Sequence, residues 1–152
     1  MLGLPAEGPL LLSVGHLIER KGHHVAIGAL AELLPSHPQA RLYILGEGEE
    51  RARLQALAAR LGVQDRVALL GARDQAELQR WYSAADVLVL ASSREGWANG
   101  LLEAMACGAP VLATRIWGTP EVVAEGSVAG RLVEERDAAS FAREARVLLA
   151  QP

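Results

Sequence analysis

Two glutamates, Glu95 and Glu103, stand eight positions apart, separated by Gly96, Trp97, Ala98, Asn99, Gly100, Leu101 and Leu102. The two glycines let a short loop press its backbone against a ligand. An apolar run, Val87–Leu90, precedes the loop, and a compact apolar segment from Leu101 to Cys107 follows it. Strand, loop and helix in that order place free N–H groups and the positive end of a helix dipole beside the loop. Glu95 then hangs over the loop, and Glu103 falls in the first helical turn. Amides and a helix start suit anionic oxygens, whereas carboxylates suit hydroxyls. A ligand with phosphates at one end and several hydroxyls at the other, such as a nucleotide sugar, has that chemistry.

A second polar loop runs from Gly15 to Gly22 and carries His16, Glu19, Arg20 and Lys21. It lacks G-x-G-x-x-G and Gly-Lys-Ser/Thr, so it is neither a dinucleotide fingerprint nor a P-loop. Gly46-Glu47-Gly48 is only a G-x-G and says little alone. Phosphate contacts must then come from single cations and loop amides, with Lys21 first and Arg20 beside it.

The elements that would hold these loops alternate almost strictly. Strands are expected at Leu10–Val14, Arg41–Leu45, Val67–Leu70, Val87–Leu90, Val111–Thr114 and Gly130–Val133. Between them, Val25, Ala26, Ala29, Leu30, Leu33 and Leu34 recur at helical spacing, and Pro35 and Pro38 end that helix. Leu54, Leu57, Ala58 and Leu61 mark a second helix, with Gly62 as its C-terminal cap. Asp74 with Glu77 opens a third in the manner of a capping box, burying Leu78, Trp81, Tyr82 and Ala85. A fourth runs from about Leu101 to Gly108. Thr119-Pro120-Glu121 has the form of an N-cap followed by proline, starting a short turn of helix to about Ala124. Asp137 caps a last helix that buries Phe141, Ala145, Leu148 and Leu149.

Continuously apolar strands in such alternation imply an α/β fold with a parallel sheet covered on both faces. Right-handed crossovers make a doubly wound, six-stranded Rossmann-like sheet of order 3-2-1-4-5-6 the economical arrangement. Strands 1 and 4 are then neighbours at the switch point, where ligands bind beyond the carboxyl ends. The loops Gly15–Gly22 and Ser92–Gly100 meet at that crevice.

The 152 residues suffice for one domain with a real core. The net charge of −3 and the scattered Lys and Arg argue against nucleic-acid binding. No apolar run approaches the roughly 18 to 20 residues of a membrane span, and Met1–Pro9 does not look like a signal peptide. The lone Cys107 can form no internal disulfide and fits a reducing, cytoplasmic setting. No His/Cys spacing indicates a metal site.

Four stretches in order resemble the C-terminal, donor-binding half of the retaining family 4 glycosyltransferases, which have the GT-B fold. They are Val14-Gly15-His16-Leu17 with Lys21-Gly22; Leu45-Gly46-Glu47-Gly48; Glu95-Gly96-Trp97 through Leu102-Glu103-Ala104-Met105-Ala106-Cys107-Gly108; and Gly118-Thr119-Pro120-Glu121. The likeness runs from about Leu10 to Leu149, and the E-x7-E spacing with its following helix is its most specific part.

The resemblance implies roles. Glu103 takes hydrogen bonds from the donor ribose. Glu95 lies near the donor sugar and stabilises positive charge as the glycosidic bond breaks. Amides from Trp97 to Gly100, with Gly96, Ala98, Asn99 and Leu101 around them, hold the diphosphate. Lys21 neutralises the leaving nucleotide diphosphate, with Gly15 and His16 beside it, and Gly71 to Arg73 lies near the base. The donor is UDP- or GDP-linked, the transferred group a hexosyl, and no metal or other cofactor is needed. The product is expected in polysaccharide, lipopolysaccharide or glycolipid synthesis.

The sequence departs from the family in two places. His16 stands where arginine is usual, and a histidine is only part-charged near neutral pH. Donor binding should therefore tighten as pH falls from about 8 to 6. Trp97-Ala98 replaces the common phenylalanine-glycine, which restricts the backbone but leaves both glutamates. The family's other half supplies the acceptor site and a catalytic histidine. The 152 residues are thus expected to be a single isolated donor domain or a fragment, inactive alone, whose partners are the donor and its own N-terminal acceptor domain. Membrane association of the full enzyme at the inner face stays open.

Other readings are carried alongside. The same architecture could serve a nucleotide-sugar epimerase or phosphorylase, or a non-catalytic nucleotide-binding or interaction module. His23, His24 and His37 are expected at the surface. Trp81, Tyr82 and Trp117 are expected to pack, Cys107 to act as a small buried hydrophobe, and Gly118 and Gly130 to serve turns.

Overall fold

A computed structural model of the chain describes residue 4 and residues 7–94, 99–116, 119–123 and 130–151, with the side chains of Asn99, Glu121 and Val122 outside that description. Six parallel strands form one sheet in the order β3-β2-β1-β4-β5-β6. They are β1 Leu10–Val14, β2 Arg41–Leu45, β3 Val67–Leu69, β4 Val87–Leu90, β5 Val111–Thr114 and β6 Gly130–Val133. The helices are α1 His23–Leu33, α2 Arg51–Arg60, α3 Gln75–Ala84, α4 Asn99–Ala106, α5 Thr119–Val122 and α6 Ala138–Leu149, with a 3₁₀ turn over Glu19–Lys21.

The strands are mostly apolar because both faces are covered, and their period of two divides them between two cores. Leu11, Leu42, Ile44, Val87, Val89 and Leu112 face a cluster closed by α1, α2 and α6. Leu10, Leu12, Leu45, Leu88, Val111 and Ala113 face the opposite cluster, closed by α3 and α4. A fully buried leucine contributes roughly 1.5–3 kcal/mol, so this double set fixes the register against a one-residue slip.

The caps explain where helices start. The Asp74 carboxylate accepts from the Glu77 amide at 2.8 Å. The Asp137 carboxylate accepts from the Ser140 amide at 2.7 Å, which holds its pKa below the usual aspartate value. Gly62, with φ of 73°, closes α2 as expected.

Four expectations shift. Strand β3 ends at Leu69, one residue early, as an edge strand buried only halfway. Helix α4 begins at Asn99, because a glycine in a first turn loses little, and Glu103 therefore sits just past that turn. The Thr119 hydroxyl turns backward, donating to the Thr114 carbonyl at 2.7 Å and accepting from the Ile116 amide at 3.0 Å, so it closes the preceding turn. Gly130 serves no turn: a Cβ there would lie 2.5 Å from a Val111 methyl, so the strand start needs glycine for close packing. Trp81 and Tyr82 pack as expected, with Trp81 against Tyr43 at 5.1 Å between ring centroids, while Cys107 is half-buried. Trp117 and Gly118 lie outside the described residues, and no described helix is long and apolar enough to cross a membrane.

Candidate functional site

Strands β1 and β4 pair in parallel, Leu11 opposite Val87 and Leu12 opposite Leu88. Asp86 sets that register, since its carboxylate accepts from the Leu10 amide at 2.7 Å while its own amide donates to the Leu10 carbonyl at 2.8 Å. The loops that follow these strands therefore open on the same sheet end.

They are also fastened together. Gly22, with φ of 73°, sits so close to the end of β4 that a Cβ would fall 1.9 Å from the Ala91 carbonyl oxygen. The Ser93 amide donates to the Arg20 carbonyl at 2.8 Å. Arg136, arriving after β6, donates to the Ala91 carbonyl at 2.7 Å and to the Glu19 carbonyl at 2.8 Å, and pairs with the Glu19 carboxylate at 3.3 Å. Three independent ties thus join the β1 loop to the β4 loop.

On the β2 side the contact is backbone on backbone. A Cβ on Gly46 would meet the Gly15 carbonyl at 1.9 Å, and the Leu17 amide donates to the Glu47 carbonyl at 2.9 Å. The weak G-x-G after β2 is therefore a packing device under the β1 loop. A hollow of about 230 Å³ opens there, walled by Gly15, His16, Glu47, Arg73 and Leu78 among others. A larger groove, about 460 Å³, lies beside α2 between Glu19, His24, Glu50, Leu54 and Arg60. Apart from Glu19 of the 3₁₀ turn it is walled by side chains of α1, α2 and the α2 N-cap, and none of the expected site residues lines it, so size alone does not make it the site.

The expected site residues separate as follows. The Lys21 stem lies over Gly15, its carbons 3.5–3.8 Å from where a Cβ would be, so the two occupy one spot. His16 is exposed at the rim of the hollow. Arg73 lines the hollow, but its guanidinium folds back onto its own turn. It donates to the Leu70 and Ala72 carbonyls at 2.6 and 3.0 Å and lies 3.4 Å from the Glu77 carboxylate. Gly100 is exposed, with nothing within 4 Å of a Cβ position. The Leu101 side chain is fully buried, which leaves its amide as the group able to meet a ligand. Asn99, Gly100 and Leu101 make the first turn of α4, whose amides lack partners within the helix. Glu103 is half-buried and accepts from the Tyr82 hydroxyl of α3. Burial, and then that carboxylate, push the Tyr82 pKa up to about 12. Glu95, Gly96, Trp97 and Ala98 lie outside the described residues, as does the Asn99 side chain.

One residue reverses its expectation. His23 is only 2 % exposed, not a surface residue. Its Nδ1 is 2.7 Å from the Ser13 hydroxyl, and its Nε2 is 3.2 and 3.1 Å from the Gly15 and His16 carbonyls. Burial holds its pKa below the usual histidine value; the two carbonyls pull the other way, and Lys21 and His24 add like charge. The signal in the sequence was the spacing to Ala26, Ile27 and Leu30, three, four and seven residues on, all of which are buried. His24 and His37 are partly exposed. His24 is also held below the usual value, by burial first and by Arg136 second.

Residues 2–152 match the family described as glycosyl transferases group 1. The chain belongs to this family. It is 40% identical over 149 residues to the lipopolysaccharide core biosynthesis glycosyltransferase LpsE of Rhizobium meliloti, covering 98% of this chain and 42% of that one. Among solved structures it matches sucrose-phosphate synthase from Thermosynechococcus elongatus, with a TM-score of 0.88 and 35% identity over 99% of this chain and 38% of that one. It also matches HepE of Anabaena in complex with UDP and glucose, with a TM-score of 0.88 and 27% identity over 96% of this chain and 40% of that one. The sheet is accordingly the Rossmann-like half of a GT-B glycosyltransferase. The group 1 chain spans about two-fifths of the length of these relatives.

Proposed function

We propose that this group 1 domain binds the nucleotide-sugar donor, UDP- or GDP-linked, of a retaining hexosyltransferase of the family 4 type. The observation that carries the reading is the fastening of the β1 loop to the β4 loop. Gly22 against Ala91, with Arg136 spanning Glu19 and Ala91, supports the reading that Lys21 and the amino end of α4 serve one crevice. A cation and free helix amides on one side and a carboxylate on the other match phosphates followed by hydroxyls.

In this reading Lys21 neutralises the departing nucleoside diphosphate, aided by amides from Gly96 to Leu101. Such preorganised donors stabilise the leaving oxyanion without a metal. Glu103, aimed by Tyr82, accepts from the ribose hydroxyls. Glu95 serves the donor sugar and its developing positive charge. The hollow beside Gly15, His16 and Arg73 takes the base end. The acceptor is held by an N-terminal domain, so these 152 residues bind donor but transfer little, and the enzyme works in the cytoplasm or at the inner membrane face. UDP in the HepE complex is the reason to test that nucleotide first.

The test is calorimetric titration of the chain with UDP, GDP and ADP. Saturable binding of UDP or GDP supports the reading, and heat from none of the three would sink it. A purely interacting module would give none.

A further inference from the structure

His23 does something that neither the sugar chemistry nor the core requires. Each partner of its Nε2 is a carbonyl, and carbonyls only accept, so Nε2 carries the proton. In the neutral ring Nδ1 then accepts, and the Ser13 hydroxyl of β1 donates to it. The imidazole is thereby fixed at both ends, from within β1 on one side and from the β1 loop on the other.

The consequence falls on the peptide between Gly15 and His16. There are no cis peptide bonds among the described residues, and a trans peptide points its N–H opposite to its C=O. The Gly15 carbonyl is drawn inward to His23 and lies against Gly46, on the β2 side. The His16 N–H accordingly points the opposite way, away from Gly46 and the β2 side. The next amide, Leu17, is already used by the Glu47 carbonyl.

We infer that His23 is a positioning residue for the donor diphosphate: its neutral Nε2–H imidazole turns the Gly15–His16 peptide so that the His16 amide faces the crevice beside Lys21. This role rests on the nucleotide-sugar reading above. The groups facing the ring are Ser13 of β1, Lys21 of the 3₁₀ turn and His24 of α1. Among the described residues no carboxylate faces the ring, so they favour its uncharged form, and the positive charge near the phosphates is left to Lys21.

The test uses the 152-residue chain and UDP. Long-range imidazole nitrogen spectra should show His23 as the Nε2–H tautomer from pH 8 down to pH 6 without ligand, and UDP should shift the His16 amide resonance. His23→Phe keeps a buried ring but removes every bond, and should weaken UDP binding at least tenfold. His23→Gln can donate to the carbonyls and accept from Ser13, and should bind within about threefold of the parent. An Nδ1–H tautomer, or a folded His23→Phe that binds UDP as well as the parent, overturns the role. If His23→Phe does not fold, the unsubstituted chain still decides: UDP binding that moves other resonances but not the His16 amide overturns the positioning role alone. No response to UDP anywhere removes the nucleotide reading and the role that rests on it, and the ligand-free tautomer still shows whether the peptide is held.

Discussion

The two halves of the crevice are held in different ways. The cationic half, Gly15 to Gly22, is fixed through its own main chain: Gly22 lies against Ala91, Gly15 against Gly46, and its carbonyls accept from the His23 ring, the Ser93 amide and the Arg136 guanidinium. The acidic half that the structure describes rides on α4 and is held by side chains: Leu101 and Ala104 in the core, and Tyr82 on Glu103. Main-chain packing tolerates almost no added atom, whereas side-chain packing gives way by degrees. The cationic end of the crevice should thus be brittle and the acidic end adjustable, an arrangement that, under the proposed function, suits a constant diphosphate and a variable sugar.

Substitutions can break this contrast. The largest effect is expected from Gly22→Ala, which combines a left-handed backbone with a Cβ placed 1.9 Å from a carbonyl oxygen. Chemical denaturation should show a loss of about 3 kcal/mol or more, and a loss under about 1 kcal/mol would mean the two loops are not in contact. Next, Glu103→Ala should leave the fold intact and weaken UDP binding by about 1.5–3 kcal/mol, roughly ten- to a hundredfold, through lost charge-assisted hydrogen bonds. Unchanged affinity in calorimetry would take Glu103 out of the site. Arg136→Ala strips partners from two carbonyls and should cost about 1.5 kcal/mol in the same denaturation assay. It should also raise hydrogen exchange at the Ser93 amide, and no change there would separate the two loops energetically.

Acid should also act first on the cationic half. The folded chain holds His23 and His24 below their ordinary values, so below about pH 6.5 the unfolded chain binds more protons. Stability is then full above pH 6.5 and falls as the pH drops, by at most about 1.4 kcal/mol per pH unit for the His23 ring. Denaturation midpoints at pH 7.5 and 5.5 check the sign, and equal midpoints would contradict it. The smallest effect belongs to Tyr82→Phe, which removes one hydrogen bond to Glu103 and should cost about 1 kcal/mol or less in stability and in UDP affinity. An affinity loss as large as that of Glu103→Ala would show the acidic half to be as brittle as the other.

The strand order is readable from the chain because each apolar run stops at a glycine or polar loop and is followed by a helical period. From that order alone the meeting of the Lys21 loop and the Ser92–Gly100 loop follows. What sequence reasoning missed is what holds them. Gly22, Gly46 and Arg136 act through close approach and through bonds to main chain, and neither leaves a periodic trace. Arg136 follows the last strand and looks like one more surface charge until its carbonyl partners are known. His23 was obscured differently: polar residues at helix starts usually face water, and only the phase of the helix marks it as inward. The Glu95–Ala98 segment, the most specific in the sequence, lies outside the described residues, so its roles remain part of the proposal.

The Arg136 clasp joins residues 117 positions apart, linking a segment that follows the sixth strand to a turn that follows the first. On a ribosome the first strand and its turn emerge long before the guanidinium that will secure them. The nascent chain can wind most of its sheet early, yet the crevice between the two loops is shut into shape only when nearly the whole domain has cleared the exit tunnel.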